Sequence, residues 1–119
     1  MTTSQPSHPS FTLDDLHWLN RELSALLKAG VSLPDGLRDG VAAAQGAGQA
    51  AVAQALAEAL QQGQPLSQAL RQAHPSMPPA YVALVEAGEA SGRVTEVLEA
   101  CVLEFQRSRR IHAMLGEAF

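Results

Sequence analysis

The chain has 119 residues, 46% of them hydrophobic but only 4% aromatic, and a formal net charge of -4. That length supports one domain with its own core, and the acidic balance excludes a general nucleic-acid binder, which needs a basic face. A single cysteine, Cys101, excludes an internal disulfide and any zinc site built on cysteines.

Much of the apolar content is alanine, the best helix former, whereas the β-branched and aromatic strand formers are scarce. The fold class expected is therefore all-α. The opening MTTSQPSHPS is polar and proline-bearing and lacks the apolar core of a signal peptide. It reads as a disordered leader over residues 1–10, with a helical domain over 11–119. No window holds the ~18 apolar residues that would cross a bilayer.

Thr12 can cap a first helix, with Asp14 and Asp15 in the first turn, where the helix dipole favours acids. Leu16, Leu19, Leu23, Leu26 and Leu27 form its apolar stripe and Gly30 closes it. His17 is expected at solvent or a helix edge, and Trp18 lies beside the stripe. A second helix begins near Ser32, with Pro34 in its first turn, and runs through Leu37 and Val41 to a turn at Gly46 and Gly48. The third is alanine-rich, carries Val52, Leu56 and Leu60, and stops at Gly63. Pro65 and Ser67 start a short fourth helix with Leu66 and Leu70, ending before Pro75. The fifth spans Pro79 to Gly88. The sixth is the longest, from about Val94 past Ile111, with Val94, Val97, Leu98, Cys101, Phe105 and Ser108 as its inner stripe.

AGVSLPDGL at 29–37 and QGQPLSQAL at 62–70 share one grammar: a glycine, then leucines three and seven residues later. Each reads as a helix ending on glycine and a new helix anchored by leucine.

The stretch Gly88-Glu89-Ala90-Ser91-Gly92 interrupts an apolar run and invites a catalytic reading. It has neither a phosphate loop's lysine nor a dinucleotide loop's glycine spacing, and Glu89 stands where a nucleophile elbow needs glycine. It reads instead as a corner between helices, with Gly88 and Gly92 allowing close approach. Ser91 is expected to cap the sixth helix, with Thr95 as a second candidate, and Glu89 to accept from its first N–H groups. Ser91→Ala should then cost about 1 kcal/mol.

Glu86 and Glu89, like Glu96 and Glu99, stand three apart and could share a helix face toward a hard cation. Such spacing is far more often a solvated face, and no calcium-loop pattern accompanies it. His8, His17, His74 and His112 lack ligand spacing, and no serine–histidine–acid set stands out. No catalytic residue, cofactor or metal is expected. Arg107, Arg109 and Arg110 complement the sixth helix's C-terminal dipole and would suit a segment nearing a membrane from the cytoplasm.

AGVSLPDGL after an amphipathic helix, GQPLSQAL some thirty residues on, and VEAGEASGRVTEVLEACVLEF before a basic segment resemble the cytoplasmic domain of the type II secretion F family. That resemblance covers about residues 11 to 115. It implies a six-helix bundle of antiparallel helices from a non-enzymatic inner-membrane platform protein of type II secretion or type IV pilus assembly. Gly30, Leu33, Gly63, Leu66, Gly88, Glu89, Ser91 and Gly92 match motif positions and are assigned to helix corners and caps. The implied partners are the hexameric secretion or pilus ATPase, other platform subunits and a second copy of the domain, at the cytoplasmic face of the bacterial inner membrane. Glu96, Glu99 and Glu104 are the candidate interaction surface, and Arg107, Arg109 and Arg110 the membrane-proximal basic group.

Two departures stand out. Gly36 occupies a position where the family more often has alanine, at an expected loss of helix stability. The chain also ends where a family member enters its membrane helix, so an excised first copy is expected. The rival readings are a free-standing soluble adaptor of the same fold and a divalent-metal-dependent, self-associating regulator. A helix-turn-helix DNA binder is disfavoured, because LPDGLRDGVAAA supplies few side chains able to read bases.

Overall fold

The computed structural model describes residues 8–118. Six helices follow in chain order: α1 (Leu13–Ala29), α2 (Leu33–Ala43), α3 (Ala47–Gln61), α4 (Leu66–Ala73), α5 (Pro79–Ser91) and α6 (Val94–Ala118). The all-α six-helix bundle expected from the sequence is the observed fold, with no strand among the described residues. Each helix packs on the next, and α1 also packs on α6 and α3, so the ring of helices closes. Residues 1–7 of the expected leader lie outside the described residues.

The leucine stripes meet at the centre. Leu16, Leu19 and Leu23 of α1, Leu37 of α2, Leu56 of α3, Leu70 of α4, Val85 of α5 and Leu98 of α6 are all fully buried. Each contributes roughly 1.5–3 kcal/mol through burial. Ala53, Ala57 and Ala69 fill positions between them and let backbones approach closely.

Helix ends explain the chain's punctuation. Thr12 and Asp15 form a reciprocal cap: Thr12 Oγ1 accepts from the Asp15 N–H, and Asp15 Oδ2 accepts from the Thr12 N–H. Burial works to raise the Asp15 carboxyl, but hydrogen bonds from Thr12 and Gln49 outweigh it and hold the group below the usual carboxylate range. Gln49 Nε2 reaches Asp15 at 3.0 Å and so ties α3 to the start of α1.

Three helices end alike. Gly30, Gly63 and Gly92 each take a positive φ, and the paired N–H groups of the glycine and its successor return to the helix's last carbonyls. This is the Schellman arrangement, which glycine adopts without a Cβ penalty. Leu33 and Leu66 then open α2 and α4 as their first residues.

Two boundaries differ from expectation. Gly48 is buried inside α3 rather than in a turn, because the Ser10 carbonyl lies where a Cβ would stand. Helix α5 runs through Gly88 to Ser91, so the corner is Gly92-Arg93 alone.

Candidate functional site

Proline explains the main polar contact of the motif. Pro65 precedes α4 and has no side-chain acceptor, so it cannot cap the helix. Glu89, from the last turns of α5, does so instead. Its Oε2 accepts from the Ser67 N–H at 3.0 Å and its Oε1 accepts from the Ser67 hydroxyl. The sequence assigned Glu89 to the start of α6, but the structure places it against α4. Ser91 is also reassigned. It lies in the last turn of α5, and its hydroxyl donates to the carbonyls of Ala87 and Gly88 rather than accepting from α6. At Gly88 the opening of α6 presses close: an added Cβ would stand 3.0 Å from Val97 Cγ2 and 3.2 Å from Val94 Cα.

A buried relay runs through the core. The Tyr81 hydroxyl donates to Asn20 Oδ1 at 2.7 Å, and Asn20 Nδ2 donates to the Leu98 carbonyl at 3.0 Å. It joins α5, α1 and α6, and burial pushes the Tyr81 hydroxyl pKa far up. Composition gave no signal for it.

The acidic faces are divided. Glu86 pairs with Arg71 at 3.6 Å while Glu89 faces Ser67, so the two carboxylates do not converge. Glu99 pairs with Lys28 at 2.9 Å and Glu104 with Arg107 at 2.8 Å, both at the surface. Glu96 is exposed. Among the described residues no three His, Cys, Asp or Glu gather as a metal site would require. Cys101 is buried, and burial raises its thiol, with Glu104 adding to the effect.

His17, expected at solvent or a helix edge, is buried, and so is His74. His17 is 7% exposed and stacks near Phe105, with ring centroids 5.5 Å apart. His74 accepts from the Ser76 N–H through Nδ1, so Nε2 donates to the Pro9 carbonyl at 2.7 Å. That bond fastens the last leader residues beside buried Phe11.

Helix α6 outruns the bundle. Among the described residues Phe105 is its last side chain packed against the core, and the described side chains from Arg109 to Met114 are exposed. Arg109 reaches back to Asp14 at 3.3 Å, and Arg107 is held by Glu104. Leu103, 67% exposed, stands on the outer side of the helix. Among the described residues no helix is long and apolar enough to cross a membrane.

Residues 20–117 match the family model described as type II secretion system (T2SS), protein F. The chain belongs to that family. Type II secretion F proteins are non-enzymatic components of the inner-membrane platform of type II secretion or type IV pilus assembly, and this chain is a helical domain of that kind. The matched span takes in all of α2 to α5, the Glu89–Ser67 cap and the Gly92 corner. None of the curated proteins compared with the chain matches it.

Proposed function

We propose that this F-family domain is a scaffold at the cytoplasmic face of the inner membrane, binding the secretion or pilus ATPase and neighbouring platform subunits. The observation that carries the reading is helix α6, which is anchored by the bundle through Phe105 and continues to Ala118. The ring of helices sets the direction of that rod, and the Gly92 corner fixes its start. Its exposed side carries Glu96 near one end, Leu103 in the middle and Arg110 beyond, with half-buried Glu99 paired to Lys28 at its edge. An apolar anchor among charges is a common form of interface, with the charges steering encounter and the anchor supplying affinity. Glu104 and Arg107 add a paired rim, and Arg109 and Arg110 lie on the membrane-proximal stretch.

The test is replacement of Leu103 by Asp in the platform protein of the living cell. The side chain is exposed, so folding should survive the change. Loss of secretion or pilus assembly with a normally accumulated protein supports the reading. Full assembly with Leu103→Asp refutes Leu103 as the anchor.

A further inference from the structure

Arg109 makes the most distal described polar contact between α6 and the rest of the bundle. Its guanidinium lies 3.3 Å from Asp14 Oδ1 and 3.3 Å from His17 Nδ1. A guanidinium can only donate, so His17 Nδ1 accepts and the ring proton sits on Nε2. Nε2 is buried and has no hydrogen-bond partner among the described residues. The ring is therefore held neutral by geometry: it is sealed against Phe105 and faces a cation through its only lone pair. The charged groups around it are Asp14 and Arg21 on α1 and Arg109 on α6.

We propose that Asp14, His17 and Arg109 form a proton-sensitive latch that holds the distal part of α6 against α1 and releases it when His17 takes up a proton. A second proton would have to enter at Nδ1, where it meets the guanidinium. Arg109 would lose its acceptor and face a like charge, leaving only the exposed Asp14 to hold it. Exposed pairs of that kind are weak and screened by salt. The rod beyond Phe105 then loses its most distal described tether and its direction loosens.

The sign follows from linkage. Burial lowers the latched His17 below the ordinary histidine value, Arg21 and Arg109 lower it further, and Asp14 opposes them. The released ring binds protons more readily than the latched one. Latching is thus complete above the ordinary histidine pKa of about 6.5 and is lost as pH falls below it.

The test is NMR on the domain from about pH 7.5 to about pH 5, spanning the ordinary histidine range. It follows the His17 ring resonances and the hydrogen-exchange protection of the amides at 109–111, corrected for intrinsic exchange. Protection should fall about tenfold for each unit separating the latched and released pKa values, while the amides of α3 keep theirs. In His17→Gln the protection at 109–111 should not follow pH. Arg109→Gln, a change at an exposed side chain, should raise the His17 midpoint toward the ordinary value and leave the global melt unchanged. A His17 midpoint at or above the ordinary value, unmoved by Arg109→Gln, would overturn the latch. So would pH-independent protection of α6 in the unaltered protein.

Discussion

The Glu89 carboxylate caps a helix that begins 23 residues before it, taking both the N–H and the hydroxyl of Ser67. An acid in the last turns of α5 thereby supplies the acceptor that Pro65 cannot, and it clamps α4 to α5 just ahead of the Gly92 corner.

Glu89→Gln should destabilise the domain by about 1.5–3 kcal/mol, the range for a hydrogen bond to a charged group. Ser67→Ala should cost a similar amount, and the double variant less than the sum, since both remove one contact. Urea melts of the four proteins measure this. Additive losses would mean that the two side chains act separately.

The corner itself separates glycine from serine. Gly92 sits at φ 73°, where a Cβ is disfavoured, so Gly92→Ala should cost roughly 1–2 kcal/mol. Ser91→Ala should change stability by no more than about 0.5 kcal/mol, because the hydroxyl only bonds back to its own helix. The loss of about 1 kcal/mol expected from an N-cap role would contradict the observed placement.

Two glycines in α2 give opposite expectations. At Gly40 an added Cβ would meet only Glu22 Oε1, at 3.4 Å, so Gly40→Ala should stabilise by roughly 0.5–1 kcal/mol. At Gly36 it would overlap the Leu26 methyls, and displacing them offsets the propensity gain. Gly36→Ala should therefore fall short of Gly40→Ala in thermal melts. Alanine at this position is disfavoured by how closely α1 approaches.

Tyr81→Phe leaves Asn20 Oδ1 buried without its donor and should cost about 1–3 kcal/mol. The loss should be visible as a lower urea midpoint with an unchanged slope.

Local grammar made most of the fold legible. The Thr12 cap and the helix-ending Gly30 and Gly63 depend on neighbours a few residues away, and leucine spacing marks which face of each helix turns inward. The rest depends on approach across the bundle. His17 falls beside the leucine stripe in sequence yet is buried because Phe105 arrives from α6. Gly48 looks like a turn residue until the Ser10 carbonyl is seen to occupy its Cβ position. Glu89 reads as a partner for the start of α6 until the packing of α5 on α4 brings it to Ser67.

The most direct measurement is sedimentation velocity of the domain mixed with the purified hexameric ATPase of its own secretion or pilus system, with calcium and with chelator. The scaffold reading predicts a complex that forms equally in both and is weakened by Leu103→Asp. No complex, together with a domain dimer that dissolves in chelator, would contradict it and make carboxylate-bridged self-association the better account.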